Sequence, residues 1–370
     1  MKVLHVSKVT GIGGSERHLL ELLPALAERG VDVTMCVLAG GDSDRFTHAL
    51  SATGTPTASI EAGPDANPLL IAKLRRVLRD VAPAIVHTHL VHADLYGGLA
   101  AATTRIPRIR SVHAAHPSVG RQPSLALHRL AARRTARTIV ISHHVERFVE
   151  RLRLADPMGV RVIHYGIRTD GWVLPSDERE AARRELGCAP EDVVAGIASR
   201  LFPHKGHDFA IEGFARAVRS EPSLKLLIAG DGPLRRELEA MVPADLTHRI
   251  HFVGFVEDIR RFMNASDLLL FPTMPGFGEG FGLAALEGMA ARRCVVATDL
   301  DSLPEIVVDG VTGALVPPGD VARLAAALIE LGRDPGKREL LGEAAYARAR
   351  EEFGFDKMVD STVRVYEEMA

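Results

Sequence analysis

Two basic residues stand five positions apart in a loop of the second half of the chain, Arg200 and Lys205. The loop directly follows an apolar run, residues 193–198, that predicts a buried strand. At the carboxyl end of a strand, an arginine fork and a lysine point charge can grip a diphosphate from two sides. Taken alone, the pair is explained more simply as two exposed cations on a loop.

A glycine-dense segment, residues 271–283, leads from another predicted strand into a helix and contains Glu279, with Glu287 eight residues further on. If that stretch were helical throughout, the two carboxylates would be at most roughly 12 Å apart, the scale from a ribose to a sugar across a diphosphate. Carboxylates accept hydrogen bonds from paired hydroxyls. The simpler alternative is one glutamate at a helix start and one on the helix surface. However, Glu287 interrupts a helix that is otherwise apolar all round, where an isolated charge is costly.

A third glycine-rich loop follows the first predicted strand, with Gly11, Gly13 and Gly14 ahead of a helical pattern. Paired glycines let a backbone approach a ligand closely, and the helix start behind them offers free N–H groups to a phosphate or a sugar hydroxyl. The spacing is not that of the dinucleotide fingerprint. Many such turns need glycine for geometry alone.

The elements that position these loops alternate between short apolar strands and amphipathic helices, which predicts an α/β fold with parallel sheets covered by helices. The predicted strands are 3–7, 31–38, 84–88, 108–112, 138–141 and 160–163, then 193–198, 224–229, 268–271, 295–297 and 314–316. The predicted helices include 15–28, 207–218, 234–241, 281–291, 322–331 and 356–368.

The repeated pattern divides the chain of 370 residues into two domains, 1–168 and 169–354, joined by a linker within 165–176. Residues 355–370 form a final helical segment. Ligands of open parallel sheets bind beyond the carboxyl ends of the strands, where the three loops lie.

The composition favours a globular protein of a reducing compartment. Hydrophobic residues make up 46% and charged residues 25% of the chain. The three cysteines are scattered and form neither a zinc spacing nor a disulfide framework. The apolar start predicts a strand rather than a secretory leader, and no apolar run reaches the roughly 18 residues of a membrane span. We therefore expect a cytoplasmic protein.

Charge is distributed unevenly, with 22 basic against 13 acidic residues in 1–168 and no acidic residue in 95–145. This basic stretch predicts either a solvated arginine-rich face or contact with an anionic acceptor or membrane surface. Nucleic-acid binding is not expected, because aromatic residues are 5% of the chain and no aromatic platform is interleaved with the basic residues.

The ordered set of motifs resembles the retaining GT-B glycosyltransferases of the large bacterial family four, the group 1 glycosyltransferases with an E-x7-E pair. The resemblance covers nearly the whole chain and rests on residues 13–17, 86–89, the His113 segment, 200–206, 228–233, 252–255, 279–287, 303–307 and 310–313. It implies two Rossmann-like domains facing across a cleft, with the segment from 355 crossing back onto the first domain.

The resemblance also implies roles for individual residues. Arg200 and Lys205 would neutralise the departing diphosphate, Glu287 would hold the ribose, and Glu279 a hydroxyl of the donor sugar. His113 would lie near the anomeric centre. Further donor contacts would come from Gly13, Gly14, Gly230, Phe255, Gly280, Phe281, Gly282 and Leu283.

The implied function is transfer of a sugar, with retention, from a nucleotide-diphosphate donor, for which UDP is favoured over GDP. No cofactor or metal is expected. The acceptor stays open between a lipid-linked molecule at the inner membrane surface and a small glycan or metabolite. The alternatives are a GT-B sugar-nucleotide epimerase, a phosphorylase, which would need a pyridoxal-binding lysine, and a degenerate protein that binds nucleotide sugars without turnover.

Two features depart from the family pattern or invite another interpretation. Asp301-Ser302 stands where the family commonly has small or glycine residues, and together with Asp299 it creates a DxD sequence. Two carboxylates alone make a poor metal site. His87, His89 and His92 cluster in sequence, and His116 follows His113, but no carboxylate or cysteine completes a zinc ligand set.

Overall fold

The computed structural model describes residues 1–63, 67–102, 104–122, 124–133, 135–276 and 279–369, with only the backbone described at 117 and 118. Of the residues quoted in the motifs and the basic stretch, Phe277, Gly278 and Arg134 lie outside these ranges. The chain divides into two compact units, Met1–Gly166 together with Phe355–Ala370, and Ile167–Gly354.

The first unit contains a parallel sheet of seven strands in the order β3-β2-β1-β4-β5-β6-β7. The strands are β1 Lys2–Val9, β2 Asp32–Ala39, β3 Thr57–Glu61, β4 Ile85–His89, β5 Arg108–Val112, β6 Arg137–Val140 and β7 Val160–Val162. Its helices are α1 Gly14–Glu28, α2 Ser43–Ala52, α3 Leu69–Val81, α4 Leu90–Ala101, α5 Ser124–Ala132, α6 His143–Arg151 and the final α15 Phe355–Glu367.

The second unit contains a parallel sheet of six strands in the order β10-β9-β8-β11-β12-β13. These strands are β8 Val193–Ala198, β9 Leu224–Ala229, β10 Ile250–Gly254, β11 Leu268–Phe271, β12 Cys294–Thr298 and β13 Gly313–Val316. The helices are α7 Ser176–Glu185, α8 His207–Ala217, α9 Arg235–Met241, α10 Ile259–Ala265, α11 Leu283–Ala290, α12 Leu303–Ile306, α13 Val321–Arg333 and α14 Pro335–Glu352.

The predicted α/β architecture with two Rossmann-like parallel sheets is confirmed. Both strands that the sequence pattern missed, β3 and β10, are edge strands. An edge strand has a neighbour on one side only, so it needs no continuous apolar run, and both segments are largely half-exposed or exposed.

The predicted start of the helix after the glycine-dense loop was wrong by two residues. The helix α11 begins at Leu283 rather than at 281, because Gly282 adopts a left-handed conformation with φ of 87° and caps it. Glu279 is therefore in the loop, and the helical estimate of its separation from Glu287 does not apply.

The final helix α15 belongs to the first unit. Arg29, directly after α1, bonds Asp356 at 2.6 Å and Asp360 at 2.5 Å, and Tyr366 is fully buried. Among the residues that the model describes, no helix is both long and apolar enough to cross a bilayer.

Candidate active site

The loop after β8 brings the two predicted cations to the carboxyl end of the second unit's sheet. Arg200 is exposed, and its guanidinium carbon lies 4.9 Å from the centre of the Phe202 ring. Lys205 is half-buried one residue before Gly206, which has φ of 64° and packs against the carbonyl of Pro272 so closely that a Cβ would collide with it. The Met274 N–H donates to the His204 carbonyl at 2.9 Å. The cation loop is thus fixed onto the loop that follows β11.

Lys205 and Glu279, two of the predicted site residues, form an ion pair in the second unit. The Lys205 Nζ donates to Glu279 Oε2 at 2.5 Å, and the two side chains are about one-fifth exposed. Such a partly buried pair is preorganised and still reachable by a ligand. An incoming diphosphate would compete with the carboxylate for the ammonium group.

Two residues that the sequence analysis treated as departures hold the backbone of Glu279. The Glu279 N–H donates to Asp301 Oδ2 at 2.8 Å, and the Ser302 hydroxyl donates to the Glu279 carbonyl at 2.8 Å. Asp301 adopts a left-handed conformation with φ of 56°, which aspartate tolerates better than most residues. Asp301 is therefore a positioning residue, and one carboxylate of the DxD sequence is occupied by this contact.

The remaining predicted donor residues of the second unit lie around the same sheet edge. Glu287 is half-buried on α11, and Phe281 is 2% exposed with its ring 5.7 Å from that of Phe353. The other predicted contacts are buried Gly280 and Gly282, half-buried Leu283 at the start of α11, Gly230 after β9, whose N–H donates to the Gly254 carbonyl at 2.7 Å, and Phe255 after β10, which is 76% exposed.

In the first unit, the glycine loop before α1 is partly closed by its own helix. The Gly13 N–H donates to Glu16 Oε2 at 3.0 Å, and the Ser15 hydroxyl donates to the same oxygen at 2.9 Å. Gly14 is the first residue of α1. The Glu16 carboxylate therefore stands at the helix start that sequence reasoning assigned to a phosphate or a hydroxyl.

His113 follows β5 and is the end of a buried chain of imidazoles. Its Nδ1 lies 2.5 Å from the Tyr165 hydroxyl and its Nε2 lies 3.1 Å from His89 Nδ1. The chain continues from His89 Nε2 to His5 Nδ1 at 2.9 Å. Both ring nitrogens of His113 are thus engaged inside the first unit, so a substrate contact would require one of these bonds to be released.

The imidazole chain extends through the final helix. The Tyr366 hydroxyl lies 3.4 Å from His5 Nε2 and 2.7 Å from His87 Nδ1, and His87 Nε2 lies 2.8 Å from the Ser111 hydroxyl. If each imidazole carries one proton, every one of these hydrogen bonds has one donor and one acceptor, and all of them point the same way along the imidazole chain. Burial lowers the pKa of His5 to about 3 and that of His113 to about 4, so the rings are neutral near pH 7.

Within the part of the chain that the model describes, His5, His87 and His89 are the one group of three metal-ligating side chains with ligand atoms within 4.8 Å of one another. His5 is the member that the sequence analysis did not single out. These rings already bond one another, Tyr366 and Ser111, and a metal ion would have to displace those hydrogen bonds.

Comparisons with known proteins identify the family. A model described as glycosyl transferases group 1 matches residues 192–334, and one described as glycosyltransferase family 4 matches residues 12–170. The chain belongs to the family-four glycosyltransferases.

The relatives of this glycosyltransferase carry transferase or synthase names. It is 28% identical over 409 residues to the D-inositol 3-phosphate glycosyltransferase of Streptomyces bingchenggensis, spanning 99% of this chain and 87% of the relative. It is 29% identical over 309 residues to the alpha-maltose-1-phosphate synthase of Mycobacterium tuberculosis, spanning 77% of this chain and 79% of the relative. These names do not favour an epimerase.

A solved structure confirms the GT-B fold. The crystal structure of Anabaena HepE in complex with UDP and glucose matches with a TM-score of 0.88 at 23% identity, covering 100% of both chains. The family-four enzyme is thus a glycosyltransferase with the GT-B fold.

Proposed function

We propose that this enzyme transfers a sugar from a UDP-sugar to an acceptor hydroxyl with retention of anomeric configuration and without a metal ion. The observation that carries the proposal is the ion pair of Lys205 with Glu279, whose backbone is held on both sides by Asp301 and Ser302. It supplies a cation for the leaving diphosphate and a carboxylate for a donor hydroxyl at one position.

The chemistry asked of these residues is charge stabilisation. The bond between the anomeric carbon and the β-phosphate oxygen breaks, and a bond to the acceptor oxygen forms on the same face of the sugar. The acceptor proton passes to the departing phosphate. Preorganised cations stabilise the developing phosphate charge, so Lys205 and Arg200 take over the task that a metal has in other transferases. We assign the ribose hydroxyls to Glu287.

UDP is favoured as the donor nucleotide on family resemblance, and the HepE structures in complex with UDP support that choice. We assign the donor to the second unit and the acceptor to the first. The acceptor is either lipid-linked or a small glycan or metabolite.

The anomeric configuration of the product tests the retention, and the rate in excess EDTA tests the metal independence. We expect an α-configured UDP-sugar to give an α-linked product, identified by the anomeric coupling constant in NMR, at an unchanged rate in excess EDTA. A β-linked product would contradict retention, and loss of turnover in EDTA that is restored by a divalent cation would contradict the metal-free mechanism.

We also propose that the enzyme works in the cytoplasm and touches the inner membrane surface through its basic first unit. The support is the charge distribution of 22 basic against 13 acidic residues in 1–168. We expect stronger binding to vesicles that contain phosphatidylglycerol than to neutral vesicles. Equal binding to both would remove the electrostatic basis of this contact.

A further inference from the structure

A cavity of about 290 Å³ lies wholly within the first unit, beyond the carboxyl ends of β1, β4 and β5. His113 lines it, so it adjoins the predicted acceptor side of the site. Most of the exposed wall is apolar, with Leu90, Val91, Val112, Val119, Phe148 and Leu154 among the lining residues, and Lys8, Thr10 and four histidines also line the cavity. Such a wall favours an apolar group, with polar side chains at hand for a hydroxyl-bearing head.

The arginine in the cavity wall is already satisfied by the protein. Arg110 Nη1 bonds Asp94 at 2.9 Å, its Nε donates to Thr138 at 3.2 Å, and its other nitrogen donates to the Leu154 carbonyl. The Arg110 and Asp94 side chains are only 3% and 8% exposed. This guanidinium therefore balances a buried carboxylate and offers no free fork to an anionic acceptor.

Leu90 in the same wall is held in an unfavourable backbone conformation. Its φ of 66° lies in the left-handed region, at the junction between β4 and α4. A leucine adopts this conformation only when its surroundings impose it, and such strain is found preferentially at ligand sites. The position is an independent indication that the cavity wall is shaped for a ligand.

The helix α5 separates the cavity from an apolar, basic surface. Its inner face contributes His128 to the cavity, whereas Leu127 and Leu130 on the outer face are 45% and 54% exposed. Arg129 and Arg133 are exposed beside them. Leucines flanked by arginines fit an anionic lipid surface, where the apolar side chains enter the interface and the cations meet head groups.

We propose that the acceptor is an amphiphile from an anionic lipid surface, with its hydroxyl-bearing head near His113 and its apolar chain in this cavity. The inference rests on the proposed transferase function. It assigns an acceptor of a different class from the D-inositol 3-phosphate after which several relatives are named.

Calorimetric titration with octyl β-D-glucoside below its micelle concentration, with glucose as the head-group control, tests the cavity. We expect octyl glucoside to bind at least tenfold more tightly than glucose. Val91 lines the cavity and is 41% exposed. The Val91→Lys variant places a charge in the apolar wall, which should lower the octyl glucoside affinity about tenfold. The matched control Val311→Lys, at a 56% exposed valine of the second unit, should leave it unchanged.

Equal affinities for octyl glucoside and glucose, or equal losses in the two lysine variants, would overturn the proposal. UDP binding by the same preparations separates the two hypotheses. Intact UDP binding without octyl glucoside binding contradicts only the amphiphilic acceptor, whereas absence of UDP binding in the wild type contradicts the proposed UDP-dependent transfer.

The lipid source is tested with Leu130→Glu on the outer face of α5. We expect this variant to lose most binding to phosphatidylglycerol vesicles and to keep the octyl glucoside affinity of the wild type. Unchanged vesicle binding would show that the amphiphile does not arrive through the α5 surface.

Discussion

At the residue scale, the backbone of Glu279 is held by two side chains that lie 22 and 23 positions away along the chain. Asp301 accepts from its N–H, and Ser302 donates to its carbonyl. The carboxylate that pairs with Lys205 is therefore fixed through its own main chain. A loop that is rich in glycine would otherwise sample many conformations and lose that pairing for much of the time.

The contact predicts different outcomes for two substitutions of Asp301. Asp301→Ala removes the acceptor for the Glu279 N–H, and we expect kcat/KM to fall about tenfold, the equivalent of one net hydrogen bond. Asp301→Asn retains an acceptor oxygen and tolerates the same φ, so it should stay within threefold of the wild type. Steady-state kinetics of both variants check this, and an alanine variant as active as the asparagine variant would rule out the positioning role.

Residue types and spacing were sufficient to single out Arg200, Lys205 and Glu279 as candidates. They could not predict that Lys205 bonds Glu279, because that contact joins residues 74 positions apart through the conformations of two loops. The change at Asp301 and Ser302 was visible in the sequence as a departure from the family. Its effect on Glu279 follows only from the left-handed turn at Asp301. The roles implied for individual site residues remain predictions.

At the element scale, the sheet order assembles the imidazole chain. Strand β4 lies beside β1, and His5 is in register with His87. His5 is isolated in the sequence, so only the neighbouring position of these two strands reveals it as a member. The strands themselves were predictable from continuous apolar runs, whereas the partly polar edge strands β3 and β10 were not.

The buried histidines predict acid-dependent stability. In the folded protein burial lowers the pKa of His5 to about 3 and that of His113 to about 4, while in the unfolded chain both are near 6.5. The unfolded state therefore binds more protons below pH 6.5, and the free energy of unfolding falls as the pH is lowered towards 4, by about 1.4 kcal/mol per pH unit for each such group.

Urea unfolding between pH 7.5 and 4.5 measures this dependence. His5→Gln should reduce its slope, whereas the same change at exposed His48 should not. If the free energy of unfolding has the same pH slope in the wild type and in His5→Gln, the imidazole chain is not the source of the acid sensitivity.

At the scale of the whole molecule, each of the two units places its candidate residues beyond the carboxyl ends of its own parallel strands. The second unit holds most of the predicted donor residues, and the first unit holds Gly13, Gly14, His113 and the cavity. The final helix α15 is far in sequence from the rest of the first unit, yet the hydroxyl of its Tyr366 bonds both His5 and His87. The resemblance implied the return of this segment. The apolar run that forms its buried face does not by itself indicate which unit it joins.

The turnover of the nucleotide-sugar donor by the Lys205→Ala variant tests the central claim most directly. The donor is the nucleotide sugar that most raises the melting temperature in a screen of UDP-, GDP-, ADP- and TDP-sugars. We expect its turnover to fall at least a hundredfold in Lys205→Ala, because an unneutralised diphosphate leaves slowly. Turnover should persist in the control Lys337→Ala, which removes a half-buried lysine of α14 that pairs with Glu330. Turnover at the wild-type rate in a folded Lys205→Ala protein would contradict the assignment of the donor site.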